Sequence, residues 1–206
     1  THAALSSTRV MATCSVIGQA AGAAAALCAA ESVLPARISG ARLRKLQAQL
    51  MEDDCFLPWK ERAIADLTRE ARLTASRGGD AEVLLNGWDR PWQDAVNYWE
   101  APADSAITLA WDAPREVNCL RMVLDSNLKG NQKKMPYQYG ANDGSRVLPE
   151  QLLKAFRIEA QSAGGKWETL HEEGENRHRL CVVPIRKECS ALRVTALQSW
   201  GMDAVR

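Results

Sequence analysis

The spacing of apolar residues changes once along this chain, and that change constrains the fold more than any other feature. Up to about residue 60 the apolar residues recur at helical intervals, whereas from about residue 71 they alternate with polar ones. Helical spacing places apolar side chains on one face of a helix, and alternation places them on one face of a strand. We therefore predict an α+β protein, with a helical segment at residues 1–62 and an antiparallel β-sandwich at residues 63–206.

A run of small and apolar residues from Thr13 to Ala30 predicts the first helix. Alanine favours helix, whereas Gly18 and Gly22 would each cost up to about 1 kcal/mol in a helix interior. These two glycines, Ala26 and Ala30 recur at four-residue intervals, so they form one stripe that is almost without side chains. Such a face lets another backbone or a flat ligand approach closely.

A second helix is predicted from Gly40 to Met51, where Leu43, Leu46 and Leu50 form the apolar face. Pro35 separates the two helices. Beyond residue 70, eight short segments that are bounded by Pro, Gly, Asn or Asp fit strands. They are residues 71–75, 81–85, 107–111, 117–124, 155–160, 166–170, 180–185 and 191–197. Seven or eight short strands without an intervening helix indicate a sandwich or jelly roll.

Charge and cysteine spacing exclude several classes of function. A formal net charge of +1 gives no general attraction to nucleic acid or to an anionic membrane. The six cysteines include no C-x-x-C pair, so we predict no metal site and interpret the thiols as structural.

Four interpretations of residues 1–31 stay open: a signal peptide, a transmembrane helix, a buried core helix and a cofactor helix. Gln19 inside the apolar run argues against a signal peptide. An Ala-rich run of about 17 residues is a weak insertion signal, so we expect no membrane span. The cofactor helix is favoured because a polar segment with one cation, Arg9, precedes it. A helix N-terminus there offers unpaired N–H groups to a negatively charged ligand.

Residues 7–11, followed by residues 18–25, resemble the last cofactor-contacting segment of bacterial FAD-dependent oxidoreductases. These are two-dinucleotide-fold flavoproteins, distantly related to the succinate dehydrogenase flavoprotein group. Residues 46–50 and 55–58 resemble the stretch that ends this domain. Members also carry a G-x-G-x-x-G motif for the pyrophosphate, and this sequence contains no G-x-G. We therefore expect the first part of the cofactor domain to lie outside these 206 residues, as a partner without which they would not bind FAD tightly.

The resemblance implies roles for the residues around the helix start. The preceding loop would pass the pyrimidine edge of the flavin, where backbone N–H groups stabilise the N1/O2 region as the flavin accepts a hydride. The implied cofactor contacts are Arg9, Val10, Met11, Ala12, Thr13, Gly18 and Gln19. The implied catalytic residues are Arg9, which would fix the cofactor or an acidic substrate, and His2, as a proton donor or acceptor. For His2, the absence of any role stays equally open.

Six of the seven tryptophans lie in the second half of the chain. Aromatic residues beside Asn, Asp and Arg are typical of sugar-binding sites, so Trp88 and Trp92 fit either sugar binding or the core. For Trp99, Trp111 and Trp167 we favour the core.

The second half also resembles the discoidin or galactose-binding-like sandwich that is appended to many of these oxidoreductases. The matching segments are residues 75–76, 86–87, 90, 97–99, 107–114, 120–128, 176–179 and 192–195. Our leading hypothesis is the C-terminal portion of an FAD-dependent oxidoreductase that acts on a small molecule, with a carbohydrate as one option, and carries the sandwich as an accessory domain. The alternative is a non-catalytic carbohydrate-binding module.

Overall fold

The computed structural model describes residues 10–127 and 148–206. The chain divides into two compact units, Thr1–Ala63 and Ile64–Arg206. Helices precede antiparallel sheets along the chain, as predicted. In the first, helical unit, helix α1 spans Met11–Glu31, a 3₁₀ helix spans Pro35–Arg37, and helix α2 spans Gly40–Glu52.

Helix α1 ends in a left-handed turn that leads the chain back towards α2. Ser32 has φ 52°, and its N–H donates to the Ala29 carbonyl, while the Val33 N–H donates to the Cys28 carbonyl at 3.0 Å. Across the two helices, Glu31 accepts from Arg42 and from Lys45, each at 2.8 Å. Both predicted helices are confirmed to within two residues at each end.

Among the described residues, the second, sheet unit contains one short α-helix, one 3₁₀ helix and seven strands. Helix α3 spans Asp66–Glu70, and a 3₁₀ helix spans Ala81–Leu85. The strands are β1 Arg72–Ala75, β2 Ala101–Pro102, β3 Ser105–Val123, β4 Leu153–Gln161, β5 Trp167–Glu173, β6 Leu180–Ser199 and β7 Ala204–Val205. An antiparallel five-stranded sheet has the order β1-β3-β6-β4-β5, and β2 pairs with β7 in a two-stranded sheet.

Strands β3 and β6 are long and irregular where two shorter strands each were predicted. Four residues of β3 (111–114) lie opposite the single Ser190 of β6. Further along, one residue of β3 lies opposite two of β6, where Arg186 has φ 50°. Pro114 lies in the first irregularity, and Pro184 flanks the second. Proline cannot donate to the ladder, so it occupies bulges within a strand as well as strand ends. The breaks in the sequence pattern mark bulges and not turns.

Residues 81–85 form a 3₁₀ helix and not the predicted strand. The Asp80 carboxylate accepts from the Glu82 N–H at 2.9 Å and so caps the first turn. The apolar run at residues 83–85 suggested a strand, but this local cap favours a helical turn.

The core of the sheet unit lies under β3, β4 and β6. Residues alternate between buried and less buried positions along β4, where Phe156 and Ile158 are fully buried. Trp99 and Trp111 belong to this core, as predicted, and their indole N–H groups donate to the carbonyls of Arg77 (3.1 Å) and Leu67 (2.8 Å). Trp167, which was also predicted to lie in the core, is only half-buried. The Arg193 guanidinium lies 4.1 Å from its ring centroid.

Candidate functional site

Among the described residues, no side chain caps the start of helix α1. Val10 is extended, its side chain makes no capping bond, and the first turn contains no acidic residue. The Cys14 N–H, which donates to the Val10 carbonyl at 2.9 Å, makes the first bond of the helix. The backbone N–H groups of residues 11–13 are therefore the ones that an α-helix leaves without an intrahelical acceptor. Of the predicted site residues at this end, Val10 and Met11 are exposed, and His2 and Arg9 lie outside the described residues.

The stripe predicted from Gly18, Gly22, Ala26 and Ala30 is exposed along its whole length. A methyl group added at either glycine would meet no atom within 4 Å. In contrast, Cys28 on the same helix is buried. The described chain therefore leaves open the face of α1 on which another backbone or a flat ligand could approach most closely.

Gln19, another predicted cofactor contact, has a partner within the helical unit. Its side-chain carbonyl accepts from the Cys55 thiol, with Sγ 3.2 Å from Oε1. Cys55 follows α2 and lies 36 residues from Gln19 in sequence, so no local pattern could have identified this pair.

Helix α1 is long and apolar enough to cross a membrane when judged by length and composition alone, and it is the one such helix among the described residues. A core helix of a soluble protein or a signal sequence satisfies the same criteria, so a single helix of this kind is weak support for a span. The helix is almost entirely exposed, and Val16 and Ile17 are each more than half exposed.

In the sheet unit, Trp88 and Trp92 lie against each other. Their ring centroids are 5.9 Å apart with an interplanar angle of 18°, and both side chains are half-buried. The sequence identified both residues as candidates but did not predict that they stack.

Two asparagines fix the backbone of Trp88. The Trp88 N–H donates to the Asn86 side chain at 2.9 Å, and the Asn97 amide donates to the Trp88 carbonyl at 3.1 Å. Gly87, between Asn86 and Trp88 in the sequence, is buried and has φ 78°, a conformation that glycine adopts without strain. The Ala95 N–H donates to the Trp92 carbonyl at 3.1 Å and closes the other end of the loop.

Two arginines hold the next residue, Asp89. The Arg121 guanidinium pairs with the Asp89 carboxylate at 3.0 Å, and only 13% and 20% of the two side chains are exposed. Arg179 donates to the Asp89 carbonyl, and also to the Leu124 carbonyl at 3.0 Å. Sequence reasoning missed both arginines, because they lie 32 and 90 residues beyond Asp89.

None of the six cysteines, all of which lie among the described residues, forms a disulfide bond. Burial raises the pKa of Cys181 and of Cys189, so these two thiols do not suggest a nucleophilic site. Thiols of raised pKa stay protonated at neutral pH and react slowly. Within residues 10–127 and 148–206, no group of three or more His, Cys, Asp or Glu residues could hold a metal ion.

Comparison with known families gives a match at the N-terminal end of the chain. The model of the FAD dependent oxidoreductase family matches residues 1–50, which include all of α1 and most of α2. This match confirms the resemblance of this part of the chain to that family. No curated protein matches the sequence.

Solved structures with similar architecture include several carbohydrate-binding modules. One is the family 32 module from Streptococcus pneumoniae EndoD (16% identity, 67% of this chain and 90% of that one, TM-score 0.47). Another is the family 32 module from Clostridium perfringens NanJ in complex with galactose (13% identity, 67% and 89%, TM-score 0.45). A third, also from C. perfringens, is in complex with GalNAc-β-1,3-galactose (12% identity, 67% and 91%, TM-score 0.47). Similarity at this level assigns neither a ligand nor a binding site to the present chain.

Proposed function

We propose that this chain forms part of an FAD-dependent oxidoreductase, to which it contributes the flavin-side loop and helix α1. The family match over residues 1–50 carries this proposal. In it, residues 1–62 belong to the cofactor domain, and residues 63–206 form an accessory domain. The remainder of the cofactor domain is the partner that the helical unit requires.

The start of α1 fits an electron-rich part of the cofactor. Its uncapped N–H groups and the positive end of the helix dipole favour negative charge, and no acidic side chain in the first turn opposes it. FAD, when bound, supplies the hydride acceptor. The chain's own groups at residues 10–13 would stabilise the charge that gathers on the ring, and Arg9 would orient the cofactor or an acidic substrate.

The exposed stripe fits the close approach of a second surface of the cofactor domain. Glycine and alanine side chains keep the helix surface close to its backbone, so a neighbouring segment can approach within van der Waals distance. The proposal assigns Gly18 to this contact. The proposal also assigns Gln19 to the cofactor site, and the Cys55 thiol holds its side chain through a hydrogen bond.

Flavin retention in the complete natural protein tests this proposal. We expect the purified protein to show the absorbance bands of oxidised flavin, and we expect Gly22→Leu to lose them because leucine fills the stripe. Gly79→Leu is the matched control, since Gly79 lies in an exposed turn where an added Cβ also meets nothing within 4 Å. A wild-type protein without bound flavin would contradict the proposal.

The two catalytic candidates are tested separately. Arg9→Gln is expected to lower the flavin content per chain, because it removes the cation that precedes the helix. His2→Gln is expected to retain flavin but to lower turnover and to change its pH profile, because it removes a proton donor or acceptor. An unchanged pH profile would show that His2 has no role in proton transfer.

Carbohydrate binding by the sheet unit is a second candidate function, and the stacked Trp88–Trp92 pair favours it. Half-buried indole rings provide apolar faces on which a sugar ring can stack. Because similar modules bind galactose and GalNAc, these sugars are the first ligands to test.

Tryptophan fluorescence, titrated with galactose and GalNAc, checks this second candidate. Trp92→Ala is expected to abolish the response, because it removes one ring of the pair. Trp59→Ala is the control, since Trp59 is 76% exposed and belongs to the helical unit. An equal response in wild type and Trp92→Ala would exclude this pair as the sugar site.

A further inference from the structure

We propose that Asp89, Arg121 and Arg179 are positioning residues that hold the rings of Trp88 and Trp92 stacked before any ligand arrives. The ligand in this proposal rests on the carbohydrate-binding candidate function. The geometry does not, because it depends only on contacts among residues of the sheet unit.

Asp89 lies between the two tryptophans in the sequence. Its side chain and its backbone carbonyl are held by different arginines, so the residue is fixed at two points. An exposed ion pair would hold a loop only weakly. Arg121 and Asp89 are mostly buried, however, so loss of either partner leaves a buried charge without its counterion.

The two arginines belong to the paired strands β3 and β6 or directly flank them. Arg121 lies on β3, directly opposite Val182 of β6, and Arg179 immediately precedes β6. The Leu124 N–H donates to the Arg179 carbonyl at 2.8 Å, which extends the pairing of these strands beyond their last ladder residues. Both anchors therefore belong to the paired ends of the two longest strands, and the loop acquires the rigidity of the sheet.

The residue before Asp89 is held as well. Asn86 and Asn97 hold the N–H and the carbonyl of Trp88, so Trp88 and Asp89 together carry contacts from the side chains of four other residues. Such a loop has little freedom left to lose when a ligand binds. Preorganisation of this kind raises affinity by reducing the entropy lost on binding.

The electronic coupling between the two indole rings can be measured, and it reports directly on their stacking. Stacked tryptophans give an exciton couplet in far-ultraviolet circular dichroism, and Trp92→Phe should remove it from the full chain. We expect Asp89→Ala and Arg121→Met to lose at least about half of the couplet amplitude, because the rings are no longer held in one orientation. Should Asp89→Ala fail to fold, Asp89→Asn, which keeps the size of the side chain, decides the question in the same way.

Glu159→Gln is the matched control, because it removes the carboxylate of a comparable pair and keeps Arg193 on the ring of Trp167. Arg193 pairs with Glu159 at 2.9 Å, and the Glu159 side chain is only 13% exposed, so this pair is partly buried like that of Asp89 and Arg121. The control variant is expected to keep the couplet. A couplet of wild-type amplitude in folded Asp89→Ala, Asp89→Asn and Arg121→Met would overturn the proposal.

A sugar titration separates this proposal from the function on which its ligand depends. Where galactose binds, Asp89→Ala is expected to weaken binding by about tenfold without removing either ring. Loss of the couplet in a chain that binds no sugar would support the positioning role and remove the carbohydrate-binding candidate. Sugar binding that needs Trp92 while the couplet survives every Asp89 variant would support that function and overturn the positioning role.

Discussion

The helical unit and the sheet unit differ in how much apolar surface each buries. Along α1 a single residue, Cys28, is buried, and Met11 and Ile17 are 84% and 55% exposed. The sheet unit instead buries a contiguous core, which includes Phe156, Ile158 and Leu192. The unit that carries the family match is therefore the one whose apolar surface stays open.

The physical reason lies in the composition of the two units. Alanine and glycine contribute little apolar area, so packing of α1 against α2 gains little hydrophobic free energy. The sheet unit contains large side chains on alternate positions of paired strands and gains much more. The comparison indicates that the sheet unit holds its fold by its own core. The helical unit suits a role in which another surface covers α1, as in the proposed cofactor domain.

The largest expected effect comes from replacing isoleucine by alanine at one position in each unit. Ile158→Ala removes a fully buried side chain and is expected to lower the free energy of unfolding by about 2–5 kcal/mol. Ile17→Ala, in the exposed part of α1, is expected to change it by no more than about 0.5 kcal/mol. Urea denaturation of each variant measures both values. Equal losses at the two sites would show that α1 is covered in solution by this chain itself or by another copy.

Glycine-to-alanine substitutions should change the free energy of unfolding in opposite directions in the two units. Gly78 has φ +90°, and a Cβ there would lie 2.3 Å from the Glu100 carbonyl oxygen, so Gly78→Ala is expected to cost more than about 1 kcal/mol. Gly22 lies inside a helix with open space around it, so Gly22→Ala is expected to gain about 0.5–1 kcal/mol. Thermal unfolding followed by circular dichroism checks both. A loss of stability in Gly22→Ala would mean that the stripe is already packed.

Local features were predicted from the sequence, and tertiary ones were not. The spacing of apolar residues predicted α1 and α2, because the hydrogen bonds of an α-helix join residues that are close in sequence. The bulges in β3 and β6 depend on pairing with another strand, which the sequence pattern does not contain. From the sequence alone, a proline at a bulge therefore cannot be distinguished from a proline at the end of a strand. At the aromatic loop, residue type identified Trp88 and Trp92. Their stacking depends on arginines far away in sequence, and no local pattern records that contact.

The smallest predicted effect uses one carboxylate from each unit. Hydrogen bonds from Lys45 and Arg42 lower the pKa of Glu31, and a hydrogen bond from Lys187 lowers the pKa of Glu168. A carboxylate whose pKa is lower in the folded state stabilises the fold above its unfolded pKa of about 4.3. That contribution is lost as the pH falls through the folded pKa. Glu31→Gln and Glu168→Gln should each make unfolding less dependent on pH in this acidic range.

Helical circular dichroism at far-ultraviolet wavelengths reports on the unit of Glu31, and near-ultraviolet tryptophan signals report mainly on the unit of Glu168, which contains six of the seven tryptophans. If the units unfold independently, as their different cores suggest, each substitution should alter the pH dependence of its own signal alone. The pairs are exposed, so added salt should reduce both effects. If Glu31→Gln altered the pH dependence of the tryptophan signal as much as that of the helical signal, the two units would unfold together. Their stabilities would then not be independent.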